Sequence, residues 1–148
     1  MKKLTIGVVG AGIYGNYHIH TYCCDKNVER VVFCDLNEER RIATADKYQI
    51  TGYKTVKEMI AQEQLDAISI ATPDPYHFEP AKDAMEAGIK YLFIEKPLAT
   101  SVRFALCASS VNIGAAQLEI HNTIGIKIKL DTIVLLRFAR CTIVAKQT

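Results

Sequence analysis

The chain has 148 residues, enough for one domain with a real core. Its apolar fraction of 49% is ordinary for a globular protein. A net charge of +2, with no long run of like charge, argues against nucleic acid or an anionic membrane as a partner. The cysteines Cys23, Cys24, Cys34, Cys107 and Cys141 are odd in number and form no C-x-x-C pair. That excludes a recognisable metal-ligand spacing and points to a reducing, cytoplasmic setting. Cys23 and Cys24 are expected on a buried helix face. The N-terminal Lys2-Lys3 and the apolar stretch after them superficially resemble a signal peptide, but the stretch is short and lacks a small-residue cleavage motif. No run reaches the roughly 20 apolar residues of a membrane helix.

Leu4–Val9 is continuously apolar apart from Thr5 and Gly7, the pattern of a strand buried on both faces. Gly10-Ala11-Gly12-Ile13-Tyr14-Gly15 follows at once, and a helix pattern runs from Ile13 to about Cys23. A second strand, Arg30–Cys34, ends at Asp35, twenty positions beyond Gly15. A G-x-G-x-x-G between strand and helix, with an acid at that distance, is the dinucleotide-binding fingerprint. Gly10 permits the turn, Gly12 lets a pyrophosphate approach the backbone, and Gly15 lets the helix pack closely. Ile13 and Tyr14 complete the cofactor-binding loop. The helix N-terminus offers N–H groups and a partial positive charge to phosphates. Asp35 would accept hydrogen bonds from the adenosine ribose and repel a 2′-phosphate. Arg40 and Arg41, a turn into the next helix, are expected to face solvent. NAD is therefore favoured over NADP.

Asn37 is the N-cap expected for a helix over Glu38–Tyr48. A short third strand is expected near Gly52-Tyr53, and Thr55 caps a helix over Val56–Gln62. Asp66–Ala71 reads as the fourth strand, broken by Thr72-Pro73-Asp74-Pro75. A helix opening at Pro75 or Tyr76 ends at Gly88. Tyr91–Ile94 is the fifth strand, and Glu95-Lys96-Pro97 follows it. Beyond these, a helix is expected over Val102–Asn112 and a sixth strand over Gln117–His121. From Val102 onward only Glu119 and Asp131 are acidic, and no proline occurs after Pro97. Ile124–Leu130, Ile133–Phe138 and Cys141–Val144 are strand-like. Alternating strands and helices predict an α/β fold: a Rossmann-type, doubly wound parallel sheet with a short β-rich C-terminal appendage. Residues 1–121 form the dinucleotide-binding domain in this reading, and residues 122–148 the tail.

Three segments together resemble the Gfo/Idh/MocA family of nicotinamide-dependent oxidoreductases: Gly10–Gly15, Ala71-Thr72-Pro73 with His77 and Gly88, and Glu95-Lys96-Pro97-Leu98-Ala99. The resemblance covers about residues 3–101. It implies that Thr72, Pro73 and His77 lie beside the pyrophosphate and nicotinamide ribose, that Glu95, Lys96 and Pro97 are cofactor-binding residues at the end of the fifth strand, and that Lys96 reaches the nicotinamide. It also implies that Lys96 is the catalytic residue, assisting proton transfer at the substrate hydroxyl. The residues themselves leave alternatives. His77 either touches the cofactor or satisfies a local carbonyl; Glu95 either orients Lys96 or is solvated; Lys96 is otherwise a surface lysine at a strand end. His18 and His20 lie two apart on a helix and face different directions, so no metal site is expected.

The chain departs from the family after His121. The family continues into a large substrate domain, whereas here Asn122-Thr123-Ile124-Gly125 begins a short tail. The substrate half is missing or replaced, which fits a fragment, a truncated gene product or a minimal protein alike. Two functional readings follow. One is an NAD-dependent oxidoreductase domain acting on a sugar, an inositol or a related polyol. The other is a non-catalytic NAD-binding module. The apolar tail strands are expected to pair with those of a second subunit, giving a homo-oligomer.

Overall fold

The computed structural model describes residues 3–95 and, as backbone, residues 143–146. In chain order the elements are β1 (Leu4–Val9), α1 (Ile13–Cys24), β2 (Val28–Cys34), α2 (Glu38–Tyr48), β3 (Gly52–Tyr53), α3 (Val56–Gln62), β4 (Ala67–Ile70), α4 (Phe78–Glu86), β5 (Tyr91–Ile94) and β6 (Ile143–Lys146). The sheet order is β3-β2-β1-β4-β5-β6. The first five strands are parallel, and β6 runs antiparallel to β5. The order reverses between β1 and β4, so the loops after those two strands splay apart and leave a crevice at their carboxyl ends.

Helices cover both faces, which is why the central strands are apolar throughout. Ile6, Val8, Val31 and Phe33 pack under α1 with Ile19 and Tyr22. Val9, Val32, Ile68, Ile70, Leu92 and Ile94 pack on the other face with Met59 of α3 and Ala81 and Ala84 of α4. The helix starts obey simple capping. Asn37 Oδ1 accepts the Arg40 N–H at 2.8 Å, and Thr55 Oγ1 accepts the Glu58 N–H at 3.1 Å. Glu58 Oε2 reaches back to the Lys54 N–H at 2.9 Å, close to a capping box.

Three expectations need correction. The helix expected from Pro75 or Tyr76 begins at Phe78, because Asp74–Tyr76 closes a separate 3₁₀ turn with Tyr76 N–H on Pro73 O at 2.9 Å. Cys23 and Cys24 are exposed. The buried line of α1 is Gly15, His18, Ile19 and Tyr22, and both cysteines fall off it. The last strand-like segment runs past the expected end at Val144 to Lys146, with residues 141–142 outside the described ones, and Ile143–Lys146 pairs with β5 of its own chain, covering an edge that would otherwise expose unpaired N–H and C=O groups. The expected helix over 102–112 and the strands over 117–121, 124–130 and 133–138 lie outside the described residues, as do Lys96 and Pro97.

Candidate functional site

The glycine loop joins β1 to α1. Gly10 has φ 88°, and a Cβ there would lie 2.9 Å from Ala71 O, so the turn needs glycine on both counts. At Gly15 a Cβ would stand 1.8 Å from Gly10 O, so α1 sits on the loop at a distance only glycine allows. Gly12 is the opposite case. A Cβ there would meet nothing within 4 Å. It is the N-cap of α1, and no side chain caps that end. Its open face and the uncapped N–H groups behind it form a cradle for an anion. Ile13 and Tyr14 are exposed beside it, with 77% and 67% of their surface open.

Asp35, 8% exposed, braces this loop from the end of β2. Its Oδ2 accepts the Ala11 N–H at 2.8 Å and its Oδ1 the Asn37 N–H at 2.8 Å. Arg40 is exposed as expected but also contacts Asp35, whereas Arg41, with only 19% of its side chain open, is drawn inward against expectation. Arg40 Nη1 lies 3.1 Å from Asp35 Oδ2, while Arg41 Nη1 donates to the Asp35 carbonyl at 3.0 Å. Arg40 stands in the first turn of α2, and its long side chain reaches back over the helix start to the nearest carboxylate. Arg40 Nη1 also lies 3.4 Å from Asp35 Oδ1, so the roughly four acceptor positions of the carboxylate are all engaged, and a ribose hydroxyl would take the place of an Arg40 contact.

Across the crevice, Thr72 and Pro73 follow β4 and Glu95 follows β5, and all three line the same open cleft as Gly10, Gly12 and Asp35. His77 lies beneath that surface, 1% exposed, with Nε2 on the Thr72 carbonyl oxygen at 2.7 Å. The ring thereby holds the turn that Thr72 and Pro73 form. Among the described residues, no group of three His, Cys, Asp or Glu could hold a metal, and no helix is long and apolar enough to cross a membrane.

One residue at this site escaped the sequence reading. His18 is 6% exposed on the inner face of α1, with Nδ1 on Ser69 Oγ at 2.7 Å and Nε2 on Glu95 Oε1 at 2.8 Å. Burial pushes its pKa below the ordinary value, while the neighbouring Glu95 carboxylate partly opposes this. The signal was present: His18 follows Gly15 by three residues, which places it one turn along the same packed face. Ser69 is the single polar residue in an otherwise apolar strand.

The comparisons with known proteins agree with this geometry. The sequence model of an oxidoreductase family with an NAD-binding Rossmann fold, Gfo/Idh/MocA, matches residues 4–108. Inositol 2-dehydrogenase/D-chiro-inositol 3-dehydrogenase of Shouchella clausii is 36% identical over 99 residues, covering 65% of this chain and 28% of that protein. UDP-N-acetylglucosamine 3-dehydrogenase of Acidithiobacillus ferrooxidans is 35% identical over 97 residues, covering 66% and 29% respectively. The crystal structure of myo-inositol 2-dehydrogenase from Lactobacillus plantarum superposes with a TM-score of 0.68 at 30% identity, over 74% of this chain and 33% of that one. The chain thus spans under a third of the length of these curated relatives. The chain belongs to the Gfo/Idh/MocA oxidoreductase family, and the match over residues 4–108 is to that family's NAD-binding Rossmann fold.

Proposed function

We propose that this chain carries the nucleotide-binding half of an NAD-dependent oxidoreductase acting on the CH–OH groups of a sugar, an inositol or a related polyol. The observation that carries the reading is the cradle at Gly12, open on its outer face and backed by uncapped helix N–H groups. The cofactor fits the residues present. Gly12 and the start of α1 take the pyrophosphate, with Ile13 and Tyr14 flanking it. Asp35 takes the adenosine ribose, Thr72 and Pro73 border the nicotinamide ribose, and His77 supports their turn. NAD is preferred to NADP because Asp35 opposes a 2′-phosphate, and Arg40 beside it narrows that margin. The substrate class is supported by the inositol and sugar-nucleotide dehydrogenases among the relatives.

Bound NAD supplies a hydride acceptor for the carbinol carbon. Lys96, next in sequence to Glu95, takes the proton that leaves the substrate hydroxyl, and Glu95 and Pro97 set its place at the end of β5. Residues 1–121 form the nucleotide domain, and residues 122–148 are a β-rich tail that contributes to a homo-oligomer. The setting is cytoplasmic, in keeping with the exposed free thiols of Cys23 and Cys24. The test is NADH formation over a panel of inositols and sugars. Lys96→Met is expected to lower turnover about a hundredfold or more while leaving NADH affinity nearly unchanged. A fully active Lys96→Met variant would remove Lys96 from the mechanism. A parent that binds NADH yet turns over nothing on the panel would favour a non-catalytic binding module.

A further inference from the structure

Three polar side chains, Ser69, His18 and Glu95, form a continuous chain through the apolar interior beneath the cleft. Ser69 Oγ lies 2.7 Å from His18 Nδ1 and His18 Nε2 lies 2.8 Å from Glu95 Oε1, while the buried Tyr22 ring meets the imidazole edge-on with centroids 6.1 Å apart. A carboxylate only accepts, so His18 Nε2 carries the hydrogen facing Glu95. In the neutral ring favoured by burial, Nδ1 then accepts from the Ser69 hydroxyl. The Ser69 hydroxyl and the ring N–H each donate once, both in the direction of Glu95. The ring is fixed sideways as well: Phe93 meets it edge-on, with centroids 5.0 Å apart and planes at 88°.

The chain links α1, β4 and β5, whose ends build the cleft. The pyrophosphate cradle lies at the start of α1 and the adenosine ribose acceptor at the end of β2. A dinucleotide crossing the crevice must therefore extend its other half over the ends of β4 and β5, where Glu95 stands. We propose that His18, set by Ser69 and Tyr22, is a positioning residue that fixes the Glu95 carboxylate at the nicotinamide end of the cleft. The inference rests on the NAD-binding reading. Burying a ring with two polar nitrogens costs stability unless both are paired, and here both are paired along a path that ends in the cleft.

The experiment titrates NADH and ADP-ribose, which lacks the nicotinamide, into the full chain and its variants. The parent is expected to bind both. His18→Leu should weaken NADH at least fivefold and ADP-ribose less than twofold. His18→Gln, whose amide still donates toward Glu95, should restore NADH affinity to within twofold. Equal losses for the two ligands, or none for NADH, would overturn the positioning role. A parent that binds neither ligand would instead sink the NAD-binding reading. Nitrogen-15 spectra of the parent's imidazoles give a second test that needs no variant. His18 should show the Nε2–H tautomer and shift when NADH binds but not with ADP-ribose. The Nδ1–H tautomer, or a shift of equal size with both ligands, would contradict the inference even if His18→Leu fails to fold.

Discussion

At the scale of single residues, the three loop glycines do three different jobs, and only one of those jobs concerns the ligand. Gly15 is structural. A Cβ at that position would stand 1.8 Å from the Gly10 carbonyl oxygen, a backbone atom that cannot swing away. Gly15→Ala is therefore expected to destabilise the fold by roughly 3 kcal/mol, the upper part of the overpacking range. Urea denaturation would check this, and a midpoint equal to the parent's would contradict the packing argument. The spacing of the glycines and of Asp35 made this part of the site legible, because each position answers to a local geometric need. Arg40 was not legible in that way. Its sequence position gives only the helix turn, and its reach to Asp35 depends on where α2 starts relative to β2.

At the scale of elements, α3 is secured at both ends by polar contacts. Thr55 and Glu58 cap its start. At its end, Glu63 accepts from Arg30 Nη2 at 2.6 Å and Nε at 3.0 Å, and from the Tyr53 hydroxyl at 2.7 Å, which ties the helix to β2 and β3. The Arg30 guanidinium, with help from Tyr53, holds the Glu63 carboxyl below its ordinary range. Its folded pKa is thus lower than its unfolded one. The stabilisation is present above the ordinary glutamate pKa of 4.5 and is lost as pH falls through the lower folded value. Glu63→Gln should cost about 1 kcal/mol at pH 7, and the difference from the parent should shrink on acidification below pH 4.5. Equal stability at pH 7, or a difference that grows with acid, would contradict the assignment. The Arg30–Glu63 pairing spans 33 positions, so no local pattern announces it, whereas the Thr55 cap was readable from the residues themselves.

At the scale of the molecule, the parallel order β3-β2-β1-β4-β5 was predictable, because continuous apolar strands alternating with helices admit few right-handed arrangements. The contribution of the tail was not. Ile143–Lys146 closes the edge of β5 in its own chain, a pairing that strand propensity does not specify. The homo-oligomer proposed for the tail predicts a dimer or larger species by light scattering of the full chain. A monomer at high concentration would contradict it. Nucleotide binding is the central claim, and calorimetric titration of NADH and NADPH into the parent and Gly12→Val tests it most directly. Gly12 has φ −69° and ψ −163°, extended values open to any residue, so the variant should fold. Its side chain would fill the open face where the pyrophosphate approaches. The account predicts saturable NADH binding by the parent, weaker binding of NADPH, and loss of most NADH affinity in the folded variant. A folded Gly12→Val chain that binds NADH as tightly as the parent would contradict it.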